Sequence, residues 1–293
     1  MEYLVRHRTT YRYAQEVTYS SHLAHLVPRA TPYQDLLENR LTLDPLPAAQ
    51  ARRTDYFGND CEWFTLDQPH TVLDVLAESR VRVDAPPARA AALSESWEAV
   101  RARLERAADP ESREAVQFIF DSPLTAFKSD IAAYAARSFP PGRPMLEGAM
   151  ELMARIHADF RYDTTVTDAT TPVDRVYEIR AGVCQDLAHA GIAALHSLGL
   201  PARYVSGYLL TRPPPGRPRL LGADASHAWF SVWAPPFGWV DLDPTNNVVA
   251  GEGHVTAAHG RDYGDVMPLG GVILGGQDHI IEVGVDVIPV SGD

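Results

Sequence analysis

The chain has 293 residues, of which 45% are apolar and 22% charged, and it carries a formal net charge of −12. Those proportions describe an ordinary globular protein with a sizeable core and exclude a disordered tail or a coiled coil. The acidic balance, without a basic run, argues against nucleic acid as the main partner, and no run of about 18 apolar residues offers a membrane span.

The first residues, Met1-Glu2-Tyr3-Leu4-Val5-Arg6, lack the basic and apolar regions of a signal peptide, so a cytoplasmic location is expected. Tyr3, Val5, Thr9, Tyr11 and Tyr13 alternate, as do Leu37, Leu41 and Leu43, and later Leu73, Val75, Ala77, Val81 and Val83. Period two predicts strands, and residues 1–83 read as a small all-β domain, a sandwich or open barrel. Asp55-Tyr56-Phe57-Gly58-Asn59-Asp60 has the turn chemistry of a hairpin tip. Residues 84–93, rich in Pro and Ala, read as a linker.

From residue 94 to 160 the period becomes helical. Trp97, Val100 and Leu104 share one face. Asp109-Pro110 is an N-cap followed by proline at the first helical position, opening a helix that carries Val116, Ile119 and Phe120. Ile131, Tyr134 and Ala135 suggest a short helix. Leu146, Ala149, Met150, Met153, Ile156, His157 and Phe160 mark a longer one, with His157 expected to pack on the apolar face. Val173 to Arg180 reads as another short helix. A further helix starts at Cys184, runs through Leu187, Ala194 and Leu198, and is closed by Gly199 and Pro201. Strand-like stretches follow at Arg203 to Leu210, His227 to Trp233, Trp239 to Asp243 and Val272 to Val290. Residues 161–250 are taken as the centre of a second domain spanning 94–293, with C-terminal strands in 251–293.

The chemistry concentrates in that centre. There are two cysteines, too few for a disulfide framework, and they form no CxxC motif. Cys184 opens a helix, where backbone N–H groups and the macrodipole favour the nucleophilic thiolate. Cys61, between Asp60 and Glu62 in the β-region, is given no role. A thiol nucleophile needs a base, and the base an orienting group. His227 begins a strand and Asp243 ends the next, so antiparallel pairing would set them side by side; Asp241, two residues earlier on the same face, is the rival acid. Asp186 and His189, on the Cys184 helix, read as supporting groups. An oxyanion hole would use the Cys184 backbone N–H and a donor near Tyr162 or Gln185. His227, His254, His259 and Asp262 match no metal motif, and calcium has no signature loop, so neither metal nor cofactor is expected. Of the 26 basic residues only Lys128 is a lysine, a depletion that GC-rich codon preference explains.

Four blocks carry a resemblance: Gly182-Val183-Cys184-Gln185-Asp186-Leu187-Ala188-His189, then Leu198 to Tyr208, then Ser226-His227-Ala228-Trp229, then Gly238-Trp239 with Asp243-Pro244-Thr245-Asn246. In this order they resemble the bacterial transglutaminase-like family of the papain-like superfamily. His7 to Tyr13, Pro28-Arg29, Asp55 to Asn59, Pro69-His70 and Gly260 to Pro268 are similar to further elements of that family, including its N-terminal β-rich domain. Phe230-Ser231-Val232-Trp233 departs from the usual pattern, which bears on the lining of the pocket. The resemblance implies an α+β fold in which a helix bearing the cysteine packs on an antiparallel sheet, preceded by the small all-β domain. It implies Cys184 as nucleophile, His227 as base and Asp243 as orienting acid. The implied reaction forms a thioester from a glutamine or amide carbonyl of a peptide or protein, then transfers it to an amine or to water. It also implies an ATP-grasp-type ligase as a partner. A hydrolysing protease or amidase, or a non-catalytic binding module on the same fold, are the competing readings.

Overall fold

The computed structural model describes residues 1–107, 109–126, 129–211 and 226–290. Lys128 and the proline-rich segment 212–218 lie outside them. The N-terminal part is built from β1 (Glu2–Ala24), β2 (Gln34–Asp44), β3 (Ala49–Thr54), β4 (Asp60–Leu66) and β5 (His70–Val83). Then come α1 (Trp97–Arg106), α2 (Pro110–Val116), α3 (Ser129–Ala136), α4 (Met145–Asp159), β6 (Arg161–Tyr162), α5 (Val173–Ile179), β7 (Ala181–Gly182) and α6 (Cys184–His196). The chain continues as β8 (Ala202–Leu209), β9 (Ser226–Trp233), β10 (Trp239–Asp243), β11 (Val248–Val249), β12 (His254–Gly260), β13 (Leu269–Gly275) and β14 (His279–Pro289). The result is an all-β unit and a mixed helix-and-sheet core, in line with the expected α+β class.

The long strand β1 organises the first unit. Its first half is paired by β5 and β14, and its second half by β4 and β13, in a seven-stranded sheet among the described residues. This corrects the expectation that the C-terminal strands within 251–293 all belong to the core domain. Only β12 joins the core sheet, against β8; β13 and β14 return to β1. Local alternation marks a strand but carries no information about which distant strand supplies its hydrogen bonds, so the partner was invisible in the sequence.

The core sheet has the order β11-β10-β9-β8-β12, all antiparallel. Helix α6 packs on one face of it and is covered in turn by α3, α4 and α5. Every residue from Asp186 to His196 is buried, as a helix enclosed on all sides requires. Its close approach to the sheet depends on Gly191, where a Cβ would stand 2.6 Å from the ring of Phe230. His157 differs from expectation: it is exposed at the edge of α4, and its Nδ1 lies 3.1 Å from the carbonyl oxygens of both Pro244 and Thr245. It therefore tethers the turn after β10 instead of packing in the core.

The two units meet along β12, the edge strand. Two side-chain amides complete that edge. Gln34 donates to the Thr256 carbonyl (2.7 Å) and accepts from the Thr256 N–H (2.9 Å). Asn59 does the same at His259, with distances of 2.7 and 2.8 Å. Each amide supplies what a neighbouring strand would, so the edge is closed without a further strand. Behind it Tyr3, Val5, Val81, Val83, Val285 and Val287 pack with Tyr208, Val255 and Ala257 in one shared apolar cluster. At Gly207 a Cβ would fall 2.2 Å from the Val255 carbonyl oxygen and 2.5 Å from the Trp229 ring. Gly207→Ala is expected to cost about 1–3 kcal/mol or more in urea unfolding, because backbone cannot give way as a flexible side chain can.

Candidate active site

Cys184 is the first residue of α6, half-buried and unbonded to Cys61. The turn before it is shaped by Asp186, whose Oδ2 accepts hydrogen bonds from the Val183 N–H (2.7 Å) and the Thr167 hydroxyl (2.7 Å). This is the reach-back half of a capping box and fixes how the chain enters the helix. Burial raises the Asp186 carboxyl above its usual range, against the pull of those two bonds. A Cβ on Gly182 would lie 2.5 Å from the same carboxylate, so only glycine admits it.

His227 stands near the start of β9 and Asp243 at the end of β10. Pairing of Leu242 with Phe230 sets the register that brings the two side chains together. His227 Nε2 lies 2.8 Å from Asp243 Oδ2. That leaves Nδ1 free of Asp243, and the Cys184 thiol acts on the same ring, helping to hold its charged form. Asp241 lies two residues away on the same face, as expected, but the described hydrogen bonds to His227 come from Asp243 and Asn246. The rivalry between the two acids is thus resolved in position by the sheet register.

Asp243 is completely buried. Its Oδ1 accepts from the backbone N–H groups of Thr245 (2.9 Å) and Asn246 (3.2 Å), an Asx-type turn. Its Oδ2 accepts from the Asn246 amide (2.7 Å) and faces His254 Nε2 at 3.1 Å, in addition to His227. Burial alone would push this carboxyl up; the hydrogen bonds from His227, His254 and Asn246 overcome it and hold the group well below the usual carboxylate range. His227 shows the reverse balance. Burial works against its charged form, but the hydrogen bond to Asp243 and the influence of the Cys184 thiol raise its pKa to about 9.

Sequence reasoning assigned no role to His254 or Asn246. Asn246 carried a weak signal, being three residues after a turn-forming aspartate. His254 stands out in the sequence only as part of a His/Asp set that matches no metal motif. Ala250 is held to the Asp241 carbonyl on β10, and by His254 the chain is at the opposite edge of the sheet. The His254 Nδ1 accepts from the Gly251 N–H (3.3 Å), so the ring proton sits on Nε2 and is donated to Asp243. The ligand atoms of His227, Asp243 and His254 lie within 4.8 Å of one another, the one such group of three among the described residues. A protonated Nε2 is a donor and not a metal ligand, so the geometry is accounted for by hydrogen bonds around a carboxylate.

The supporting groups separate clearly. His189 is buried, accepts from the Tyr263 N–H (3.1 Å), and is pushed by burial down to about 4, so it is neutral near pH 7. Gln185 uses its amide to hold the Ala169 carbonyl (3.0 Å), which turns it away from the role of second oxyanion donor. Tyr162 is 54% exposed and pairs on β6 with Gly182, two residues before Cys184; its phenol is raised by burial and then by the Cys184 charge. Cys61 is buried in β4, donates to the Arg53 carbonyl (3.3 Å), and is raised by burial with Asp55 and Asp60 adding to the effect.

Residues 3–82 match the bacterial transglutaminase-like N-terminal region, and residues 132–244 match the transglutaminase-like superfamily. The uncharacterized protein Rv2569c of Mycobacterium tuberculosis is 41% identical, over 99% of this chain and 94% of that protein. This chain belongs to the bacterial transglutaminase-like family. The uncharacterized protein ML0607 of Mycobacterium leprae is 31% identical over 97% of each chain. The crystal structure of a candidate cysteine protease from Cytophaga hutchinsonii shares the fold, with a TM-score of 0.75 at 21% identity, covering 100% of this chain and 92% of that one. Over a shorter stretch, 31% of this chain and 14% of its relative, it is 35% identical to a protein-glutamine gamma-glutamyltransferase of Pseudomonas aeruginosa.

Proposed function

We propose that this protein is a thiol acyl-transfer enzyme acting on amide carbonyls, with glutamine carboxamides of peptides or proteins as donors. The observation that carries this reading is the His227 ring held through Nε2 by a buried carboxylate, with the Cys184 thiol acting on the same ring. In the proposed reaction the Cys184 thiolate attacks the carbonyl carbon, and the backbone N–H at the start of α6 and the Tyr162 hydroxyl stabilise the oxyanion. The C–N bond breaks as the His227 imidazolium gives its proton to the leaving ammonia or amine. The thioester left on Cys184 is resolved by an amine, or by water, whose proton passes to His227. The local similarity to a protein-glutamine gamma-glutamyltransferase supports the choice of donor.

Mass spectrometry of the protein incubated with a glutamine-peptide library is expected to find an acyl adduct on Cys184, displaced faster when a primary amine is added. Displacement at the same rate with and without amine would make the protein a hydrolase. A non-catalytic binding module would give no adduct and no difference between its two thiols. The catalytic reading instead expects iodoacetamide at pH 7 to modify Cys184 at least ~10-fold faster than Cys61, since the latter is buried and its thiol form favoured.

A further inference from the structure

A second concave site lies on the face of the core sheet turned away from α6, where residues 29–34 and 83–89 of the N-terminal unit close over it. It encloses about 360 Å³, within the range of small-molecule sites. Two of its lining residues, Arg203 on β8 and Asp241 on β10, stand in one cross-strand row on either side of Ser231 on β9. Neither Cys184 nor His227 lines it, but His254 does.

Arg203 is the unusual residue. It is 8% exposed, its guanidinium carbon lies 4.1 Å from the centre of the Trp239 ring, and its Nε is fully buried with no hydrogen-bond partner. Asp241 acts on it through space, Arg29 repels it, and no ion pair to it occurs among the described residues. The buried Nδ1 of His259, on the same wall, is also unpartnered. Buried donors are almost always satisfied, so a desolvated guanidinium in the wall of a cavity, with its Nε unpaired, calls for an acceptor. The planar fork of arginine matches a carboxylate. Around the lining Arg29, Arg89 and Arg203 are balanced by Asp84, Glu114 and Asp241. The site therefore supplies directed donors and not excess positive charge, which favours a monocarboxylate over a dianionic phosphate. Tyr33, Phe237 and Trp239 provide apolar wall for the rest of such a molecule.

We propose that this cavity binds a small organic monocarboxylate with an apolar or aromatic body, its carboxylate on Arg203 and its body against Trp239. The site is independent of the catalytic reading. Its occupant would lie against His254, the ring that donates to Asp243.

Calorimetric titration of the full chain with phenylacetate, against sodium chloride at equal ionic strength and against inorganic phosphate, tests this. Saturable phenylacetate binding with a raised Tm is expected. Arg203→Gln is expected to weaken it about tenfold or more. That variant removes an unpaired buried charge and so should fold; Trp239→Leu, which removes the platform, provides a second weakened variant. Cys184→Ala should bind as the wild type does, which separates this outcome from any failure of the thiol chemistry. Absence of phenylacetate binding above the chloride control, undiminished binding by Arg203→Gln, or preference for phosphate would each overturn the proposal.

Discussion

Replacement of Cys184 by alanine is expected to lower turnover of a glutamine-peptide donor by ~10³-fold or more while leaving the fold intact. Without the sulfur no covalent intermediate forms, and only binding and oxyanion stabilisation remain. The structural cost should be small. Cys184 is half-buried, the entry to α6 is held by Asp186 through Val183 and Thr167, and the core of the helix begins at Leu187. The urea midpoint should therefore shift by no more than the equivalent of ~0.5 kcal/mol. Steady-state release of ammonia and amine incorporation measured side by side would show whether both activities vanish together. Persistence of either would move the chemistry away from this thiol.

Asp243 is expected to be the most damaging position for stability and activity combined. Asp243→Ala removes an acceptor from two imidazoles, one amide and two backbone N–H groups, all around a fully buried point. Breaking such a network by deleting one partner should cost about 3–5 kcal/mol in denaturant unfolding. Asp243→Asn keeps the shape but neutralises the charge, and should reduce kcat by a factor on the order of 10³–10⁴ with much smaller loss of stability.

The same variant tests the pH behaviour. The His227 pKa is raised to about 9. A raised histidine stabilises the fold fully below its unfolded value of about 6.5, and that contribution is lost as pH rises through 9. The depressed Asp243 carboxyl contributes above the unfolded value of about 3.9, and its contribution is lost as pH falls through the low folded value. The stability contributed by this pair should therefore be level between about pH 4 and 6.5 and decline toward pH 9, while buried His189, held neutral down to about 4, makes its own contribution fall as pH drops from 6.5 toward 4. In Asp243→Asn the imidazole resonances of His227, followed by NMR, should titrate well below 9. An unchanged titration would mean that Asp243 does not hold the ring's charge.

How much of this was legible depends on the range over which each signal acts. Helix starts are local. Asp109 caps α2 by accepting from the Ser112 N–H at 2.8 Å, and Cys184 opens α6, because the cap and the first turn lie within a few residues of each other. Strand signals are equally local: β5, β8, β9 and β10 fall close to the expected stretches, while β1 starts where alternation marks it but runs on to Ala24. The blocks around Cys184, His227 and Asp243 carried the family in residue order alone.

Pairing is a different matter. The return of β13 and β14 to β1 and the arrival of His254 at Asp243 involve partners far apart in sequence. So does the closure of the β12 edge by Gln34 and Asn59. The buried Arg203, which in the sequence marks only the start of a strand, is defined by what fails to meet it once two units close over it. The sequence by itself determined the element types and the family, and singled out Cys184, His227 and Asp243 as candidates, since caps, periodicity and motif order are properties of neighbouring residues. Tertiary structure alone decided which acid holds His227, which ring supports that acid, and where a second cavity opens. Hydrogen bonds and desolvation act through space, between groups whose nearness no local pattern records.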